Sequence, residues 1–549
     1  MEDLRTRLDR LVAQMRQERA SFIAHWRELS EYILPRQSRF LTTDRNKGDK
    51  RNQKIIDTTA TLAARTLASG MMAGVTSPAR PWFRLTTQNP EQSSSGEVKA
   101  WLSAVESRMR EVFSRSNLYN ALPMCYQDLG VFGTTAMLVI EDDEDLIRCY
   151  PLPVGSYMLG NSARLSVDTM AREFQMTVRQ LVSQFGRDAC SDQVRNLFDR
   201  EQTEDWIDVV HVILPNEDFR HGPGMAKHKR YLSVHYEAGA DKGKFLRESG
   251  FDEFAVLAPR WSVIGEDIYG HSPAMDALGD IKALQLEQKR KAQAIDKLVN
   301  PPMAGPSSLK TQRASLLPGD VTYIDVMQGG QKFEPAYVIN PHLEALISDI
   351  RENQDRIRRS FFEDLFLMIA NDQRSNITAR EIEERHEEKL LMLGPVLERL
   401  NDELLDPLID RVFGIMLRQG AIPEPPRALQ GQEIRVEYIS VMAQAMKMVG
   451  LSSVERLLGF VGNLAGANPS VLDKIDGDAA VDAYAEMVGA PPGIVVGADV
   501  VTKIRQEREQ AAAQAQAMQA MQTGAQGAKL LSETDTGGDN ALTRMLGVA

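Results

Sequence analysis

The sequence predicts a mainly helical protein with an α+β part in its N-terminal half, and three observations support this prediction. Two long helical segments, residues 272–299 and 341–369, flank a short insert of strand-like composition. A leucine-rich helical segment follows at residues 378–419. Residues 133–263 are rich in strand-forming side chains. Because two long helices with an insert at their far end make a rod and not a pocket, we expect a structural protein.

The composition sets the size of the core and argues against a membrane span. The chain has 549 residues, of which 43% are hydrophobic, enough for cores in about two to four domains. Mean hydropathy is −0.30, and no run approaches the roughly 18 apolar residues of a transmembrane helix. Cys125, Cys149 and Cys190 are few and lack metal-type spacing. They are typical of buried thiols in a reduced, cytosolic setting.

The N-terminal part is predicted to be helical. Residues 1–34 carry apolar side chains at near-heptad spacing, so this helix packs either on its own domain or against a neighbouring subunit. Alanines in a second helix, residues 55–73, allow close approach of other helices. The motif from Arg80 to Phe83 is interpreted as exposed and as leading into a short strand. Further helices are expected over residues 97–114 and 119–130.

Alternating apolar residues between positions 133 and 263 predict a mixed α+β domain with a helical interruption at residues 178–198. The expected strands cover residues 134–141, 146–150, 165–174, 206–214, 230–236 and 254–259. Five consecutive acidic residues, 141–145, fall between the first two strands. Such carboxylates can bind a divalent cation, but a solvated hairpin tip is the commoner arrangement, and we predict that arrangement here.

The first long helix ends at a pair of prolines, which cannot continue a helix. At about 1.5 Å per residue it spans roughly 42 Å. The insert, residues 301–340, is expected to hold two strands joined by a glycine turn. These strands cover residues 321–326 and 331–337. Because an isolated hairpin is only marginally stable, we expect the insert to complete its sheet with another copy of the chain.

The long helix after the polar loop 372–376 has a predicted capping box formed by Thr378 and Glu381. Pro395 and Pro407 are expected to kink it. Three more helices are expected over residues 438–464, 479–488 and 499–522. The last has little apolar surface, so it should be marginal alone and stable when copies gather in parallel. The composition of residues 525–549 predicts disorder.

The sequence lacks catalytic motifs, so we predict no catalytic residue, no cofactor and no metal. The nearest match to a phosphate-binding loop, residues 239–244, is one residue short and lacks the following Ser or Thr. His221, His228 and His235 are seven residues apart, which does not suit a compact metal site and indicates a polar loop. The formal charge of −12 argues against a protein that grips nucleic acid over a broad face.

Three short motifs, taken in order, resemble the portal proteins or head-to-tail connectors of tailed bacteriophages, and those of short-tailed phages most. Residues 80–85 follow the N-terminal helical region, and residues 269–273 lead into the first long helix. Residues 377–381 open the leucine-rich helix. Each motif is weak alone, but the order of elements extends the resemblance over residues 1–490.

The resemblance implies a portal fold. Its expected parts are a wing at residues 1–263, two antiparallel stem helices at 264–300 and 341–369, and a small α/β clip at 301–340. Residues 370–435 would hold the tunnel loop and a long kinked wing helix. The remainder would be a helical crown at residues 436–498, a C-terminal helix at 499–524 that is able to form a barrel, and a disordered tail at 525–549.

The resemblance also implies an activity that is not enzymatic. It implies a ring of twelve subunits at one capsid vertex, assembled in the host cytoplasm, with a channel for packaging and ejecting double-stranded DNA. The expected partners are the major capsid protein, the terminase motor and the tail adaptor, and no membrane. Twelve chains of −12 each carry −144. Such a ring would hold DNA weakly and without sequence preference, so that the DNA could slide.

Two sets of candidate site residues follow from the resemblance. The candidates for the DNA channel are Asn371, Gln373, Arg374, Lys310 and Arg313. The candidates for the interface with the motor or adaptor are Lys310, Arg313, Tyr323 and Lys332. Two alternatives remain open: another virion part, such as a tail adaptor or internal scaffold, and a metal-dependent nuclease that uses residues 141–145. Adaptors are usually much shorter than 549 residues.

Overall fold

The computed structural model describes most of the chain. The described residues are 3–44, 48–87, 96–220, 225–240, 244–305, 334–336, 343–371, 392–429, 434–440, 442–443, 457–466, 468–488, 495 and 498–532. The chain forms two compact units. The first consists of Met1–Arg84, Val105–Pro423 and Tyr438–Gly450. The second consists of Leu85–Ala104, Glu424–Glu437 and Leu451–Ala549.

The described helices agree in type and order with most of those expected. Up to the long kinked helix they are α1 (Leu4–Tyr32), α2 (Thr59–Gly74), α3 (Gly96–Arg115), α4 (Leu118–Phe132), α5 (Val178–Phe185), α6 (Asp192–Asp199), α7 (Pro273–Val299), α8 (Leu343–Ser360) and α9 (Glu363–Asn371). The long helix is described as α10 (392–400), a π-helical turn (Asn401–Leu405) and α11 (Asp406–Arg418). Helices α12 (457–465), α13 (Gly477–Val488) and α14 (Ala498–Ser532) follow.

The strands form four sheets among the described residues. They are β1 (Phe83–Thr87), β2 (Ala136–Asp142), β3 (Leu146–Leu152), β4 (Tyr157–Asn161), β5 (Val167–Thr177), β6 (Trp206–Pro215), β7 (Tyr231–Glu237), β8 (Arg247–Phe251), β9 (Val256–Leu257), β10 (Met303–Ala304), β11 (Glu334–Pro335) and β12 (Ile434–Tyr438). The largest sheet has the order β4-β5-β6-β7-β8, and a smaller one has the order β3-β2-β9. Strands β1 and β12 pair with each other, as do β10 and β11.

Helix α1 packs on its own domain, so the first of the two predicted alternatives is confirmed. Leu8, Val12 and Met15 form a core cluster with side chains of β4 to β7 on one face of the five-stranded sheet. Arg19 extends this contact, because its Nη1 donates to the backbone carbonyls of Gly155 and Tyr157 at 2.8 and 2.7 Å. The apolar stripe of α1 is therefore used within the chain.

Helices α5 and α6 cover part of the opposite face of that sheet. Val178, Leu181 and Val194 pack with Val209 of β6 in a second core cluster. Thr177 and Gln180 form a capping box at the start of α5, which satisfies two otherwise unpaired backbone N–H groups. The helical interruption predicted at residues 178–198 is confirmed as this pair of helices.

Several predictions were wrong. Trp82 and Phe83 are each only 1% exposed, and both rings pack on Phe113. Strands β4, β8 and β12 were not predicted, and β12 occupies the start of the helix expected at residue 438. The proposed crown boundary at residue 436 therefore lies inside a strand. Helix α14 continues to Ser532, so the predicted disordered tail cannot begin at residue 525.

The stem helix expected at residues 341–369 is broken into α8 and α9. Phe362, between the two helices, has a φ of 56°, a left-handed conformation that ends an α-helix. Phe361 is fully buried beside it. The adjoining aromatic pair gave no sequence signal for a break, because neither residue is Gly or Pro.

The predicted kink near Pro407 takes the form of the π-helical turn Asn401–Leu405 directly before it. This turn carries Glu403, whose carboxylate meets the 2% exposed guanidinium of Arg260. Arg260 Nη2 donates to Glu403 Oε1 at 2.6 Å, and the Arg260 backbone N–H donates to Glu403 Oε2 at 2.8 Å. The long helix is thus fixed to the end of the α+β part by a buried ion pair.

The buried His211 and the partly buried His235 lie side by side in the five-stranded sheet, so the polar loop predicted for His235 was wrong. His211 of β6 pairs with His235 of β7, and their ring centroids are 3.7 Å apart. The same cross-strand row contains Arg172 on β5 and Arg247 on β8. Burial, and then the neighbouring positive charges, hold the pKa of His211 well below its usual value and lower the pKa of His235 to about 3.

Because of the two histidines, we expect this sheet to become less stable as the pH is lowered. Below the ordinary histidine pKa of about 6.5, the unfolded chain binds protons that the folded sheet excludes. Each histidine should then lower the free energy of unfolding by up to about 1.4 kcal/mol per pH unit between pH 6 and pH 4. Urea unfolding of the chain and of the His211→Gln/His235→Gln variant measures this slope. The variant should show a shallower pH dependence of its stability than the unaltered chain.

Candidate functional site

Most of the predicted site residues lie outside the described part of the chain. Lys310, Arg313, Tyr323 and Lys332 fall between residues 306 and 333, and Gln373 and Arg374 follow α9. The insert strands 321–326, the start of 331–337 and the capping box at Thr378 also lie outside it. Asn371, predicted to lie in a loop, is the last residue of α9. What the structure does describe is the helices that flank these segments, namely α7, α8 and α9.

Helices α7 and α8, which carry the insert between them, pack against each other. Ile281 and Leu284 of α7 and Ile350 and Ile357 of α8 are buried. Near their middle, the amide of Asn353 donates to both carboxylate oxygens of Glu287, at 2.8 and 2.9 Å. The buried Asn353 gives the pair a fixed register, because any slip would leave this amide without a partner.

The carboxylate of Asp57 joins both helices to the segment before α2. Gln288 of α7 and Gln354 of α8 each donate to Asp57 Oδ2, at 2.9 and 2.8 Å. The other oxygen, Oδ1, accepts from the Thr59 backbone N–H at 2.8 Å. Burial alone would raise the pKa of Asp57, but these hydrogen bonds together hold it below its ordinary value. We call this three-way junction the Asp57 clamp.

Replacing Asp57 with Ala should release the helix pair from the body of the first unit. Two partly buried amides would lose an ionised acceptor; such a hydrogen bond contributes about 1.5–3 kcal/mol when fully buried and less where solvent reaches it. We expect faster backbone hydrogen exchange around Gln288 and Gln354, measured by mass spectrometry. Asp349→Ala, an exposed site on α8 itself, is the matched control and should leave the exchange rates unchanged. Equal exchange in both variants would contradict the clamp.

The base of α7 is packed with little free space. Ser272 caps the helix, accepting from the Met275 N–H at 3.1 Å and donating to the Val131 carbonyl at 2.7 Å. Gly133, with a φ of 76°, lies against Gly270, and a Cβ on Gly133 would stand 2.2 Å from the Gly270 carbonyl oxygen. Only glycine fits such an approach. This contact explains why the motif at residues 269–273 precedes the helix.

Tyr269 completes the base of α7. Its ring meets Trp26 edge-on with the centroids 5.0 Å apart, and its Oη accepts from the Leu159 N–H at 3.0 Å. The Trp26 indole in turn donates to the Phe132 carbonyl at 3.0 Å. Helix α7 therefore starts from a rigid junction of α1, α4 and β4, and its far half projects from that junction.

At the far end of α7, the first strand of the insert, β10, pairs with β11 near the end of the insert. Met303 pairs with Pro335 and Ala304 with Glu334. The Ala336 N–H donates to the Pro302 carbonyl at 2.7 Å. At the other end, the ring centroid of Trp261, which precedes α7, lies 6.0 Å from that of Phe362, which follows α8.

Helix α9, which leads to the predicted channel loop, packs on α2. The Phe366 ring lies against Gly70, where an added Cβ would be only 2.2 Å from the ring. Phe366 is 3% exposed, whereas the adjacent Leu367 is 44% exposed. The small residues of α2 thus allow the close helix approach that the sequence predicts, and they fix the point at which the chain leaves α9.

Exposed basic and apolar residues on the far half of α7 were missed by sequence reasoning. Lys289, Arg290 and Lys297 are exposed there. The apolar side chains of Ile295, Leu298 and Val299 are also exposed, by 42%, 43% and 70%. The run of three basic residues from 289 to 291 was a visible signal in an acidic chain. A half-helix of this kind offers apolar surface for another molecule.

The acidic turn after β2 is a hairpin tip, as predicted. Residues 141–145 connect the antiparallel strands β2 and β3. Glu141 pairs with Arg418 at 3.0 Å, and Asp142 Oδ2 accepts from the Asp145 backbone N–H at 3.0 Å. Within the described ranges, no group of three His, Cys, Asp or Glu side chains could hold a metal ion. No helix found there is long and apolar enough to cross a membrane.

Comparisons with known proteins point in one direction. The sequence model of a family described as "Bacteriophage head to tail connecting protein" matches residues 5–495. The chain is 54% identical over 549 residues to the "Portal protein" of Salmonella phage epsilon15, covering 100% of this chain and 99% of the relative. It is 46% identical over 530 residues to the "Probable portal protein" of Bordetella phage BPP-1, covering 96% of each.

Proposed function

The chain belongs to the bacteriophage head to tail connecting proteins, and we propose that it is the portal subunit of its virion, closing with further copies into a ring of twelve at one capsid vertex. The ring would be a conduit for double-stranded DNA during packaging and ejection, and a platform for the motor and the tail. The observation that carries this proposal is the projecting helix pair α7 and α8, which is anchored at its base and apolar at its exposed far end.

We further propose that α7 and α8 are the two antiparallel stem helices. The strand pair β10-β11 and the contact between Trp261 and Phe362 lie at opposite ends of the pair and support this orientation. In the ring, the far half of α7 would bury Ile295, Leu298 and Val299 against a neighbouring copy. A ring needs such heterologous contacts, repeated by rotation until they close.

The other expected parts complete the proposal. Residues 301–340 would form the clip, with Lys310, Arg313, Tyr323 and Lys332 meeting the motor or tail adaptor. The tunnel loop after α9 would place Gln373 and Arg374 next to DNA, with Asn371 at the end of the helix. Lys289 and Arg290 are further candidates to steer phosphates. Helix α14, whose Met518 and Met521 are 71% and 79% exposed, would pack in a barrel with its copies.

If α7 packs against a neighbouring copy, adding charge to its far half should prevent assembly of the ring. Replacing Leu298 and Val299 with Glu should prevent ring closure, because like charges would be buried around the whole ring. Sedimentation velocity should then find subunits or short open oligomers where the unaltered chain gives a closed ring. Met225→Glu, at a side chain also 70% exposed but on the α+β part, is the matched control. A double variant that still forms full rings would contradict the role given to α7.

A further inference from the structure

A cavity of about 290 Å³ lies between the segment after α1, helix α4 and the loop after β3. Its charged lining consists of three guanidinium side chains, those of Arg36, Arg39 and Arg51, and the carboxyl groups of Asp44 and Asp128. Ligand sites commonly begin at roughly 300 Å³, so this cavity suits a small group. It is separate from the helix pair and from every residue assigned above to the channel or clip.

The polar groups of the cavity are held in place but incompletely paired. Asp128, on α4, is only 3% exposed, and its Oδ1 has no hydrogen-bond partner. Arg39 is fixed at its backbone, where its N–H donates to the Val154 carbonyl at 2.8 Å, and at Nη2, which donates to the Thr42 carbonyl at 3.0 Å. The Nε of Arg39 is buried without a partner. Unpaired buried groups of this kind are uncommon in folded proteins.

The chemistry of these groups favours an anion. Burial raises the pKa of Asp128 well above its usual range, and a weaker hydrogen bond from Gln37 opposes the shift. This shift favours the neutral form of Asp128, which can donate through its O–H. Arg51 is already paired with Asp44 at 2.6 Å. The positive charge of Arg51 is therefore largely neutralised. A buried donor O–H and a buried donor N–H both require an acceptor.

We propose that this cavity binds a phosphate-type oxyanion, with Arg39 Nε and the Asp128 carboxyl donating hydrogen bonds to its oxygens and Arg36 adding charge. Guanidinium groups match the geometry of phosphate oxygens better than ammonium groups do. A cation is disfavoured because three arginines line the cavity against two acids, and one of these acids, Asp44, is already paired with Arg51. The residues that line the cavity are not among those proposed above for the ring contacts.

Isothermal titration of the full-length protein with inorganic phosphate at neutral pH tests the proposal. We expect saturable binding at one site per chain. Arg39→Gln should weaken the affinity at least about tenfold, the typical effect of losing a charge-assisted hydrogen bond. Asp128→Asn keeps an N–H donor in the same place and should retain binding. Arg164→Gln, an exposed arginine elsewhere, should bind as the unaltered chain does. Circular dichroism would show that each variant is folded.

The phosphate affinity should also fall as pH rises through the Asp128 pKa, because an ionised carboxylate repels the anion, and Asp128→Asn should lack this dependence. Two results would overturn the proposal: no saturable phosphate binding to the folded chain, or an unchanged affinity in Arg39→Gln. Acetate that competes as strongly as phosphate would show a carboxylate site and would also overturn the assignment.

Discussion

Replacing Glu403 with Ala should lower the free energy of unfolding of the first unit by about 3–5 kcal/mol, the usual cost of breaking a buried ion pair from one side. The guanidinium of Arg260 would remain buried at 2% exposure without its counter-charge. Only backbone carbonyls would still accept from it, including that of Leu165 at 2.9 Å. Tryptophan fluorescence during urea unfolding measures this loss, and the neighbouring Trp261 is one of the five tryptophans that contribute to the signal.

Replacing Arg260 instead should lower the free energy of unfolding by a smaller amount, and it allows the pairing to be tested. In Arg260→Ala, Glu403 would keep a second partner, since Arg399 Nη1 donates to its Oε1 at 3.1 Å. The double variant Arg260→Ala/Glu403→Ala should be more stable than the sum of the single effects implies. Glu144→Ala, at an exposed position in the hairpin tip, is the control. If Glu403→Ala unfolds at the same urea concentration as Glu144→Ala, the π-helical turn has no anchoring role.

Deleting residues 308–337 should abolish DNA packaging while leaving the two compact units folded. The deletion removes the proposed clip but none of the contacts at the base of α7 or in the Asp57 clamp. The expected result is a stable protein that assembles but no longer engages its motor or tail adaptor. An in vitro packaging assay measures the DNA protected from nuclease. We expect no protected DNA above background.

Point variants show whether packaging is lost because the clip surface has changed or because the clip no longer folds. Lys310→Glu with Arg313→Glu reverses charge inside the proposed interface, and Arg164→Glu makes the same change at an exposed turn of the α+β part. The first variant should lose most packaging activity and the second should keep it. Packaging by the deletion variant at the level of the unaltered chain would refute the assignment of the clip.

Local sequence signals predicted most elements of this fold. The bounds of α7 were predicted within one residue, because Ser272 and Pro273 mark its start and prolines follow its end. The strands β2, β5, β6 and β7 were found from their alternation. Alanine spacing indicated the close packing on α2. Each of these features is determined by side chains a few residues apart, which is what a single sequence reports.

The features that were missed depend on contacts between distant parts of the chain. Trp82 and Phe83 follow an exposed Arg-Pro pair, and only the ring of Phe113 shows that they are core residues. The break at Phe362 has no local signature, whereas the π-helical turn at Glu403 was signalled only as a kink near Pro407. His235 was interpreted as a loop residue because its partner His211 lies 24 positions earlier in the sequence. Such pairings need the sheet register, which the sequence alone did not provide.

The candidate site was predictable only as an arrangement of elements. The helix pair and the position of the insert followed from hydrophobic periodicity and the proline stop. The Asp57 clamp could not be foreseen, because Asp57 meets Gln288 and Gln354 across more than 200 residues. The run from Lys289 to Lys291 was overlooked, although three consecutive basic residues stand out in an acidic chain.

The central claim is that copies of this chain close around an open axial bore, and electron microscopy of the purified full-length protein tests it most directly. We predict end-on class averages that show closed rings of one subunit number, with a central channel wide enough for duplex DNA, over a range of salt concentrations. Images that contain only single subunits or pairs under every condition, or rings with no opening on the rotation axis, would contradict it.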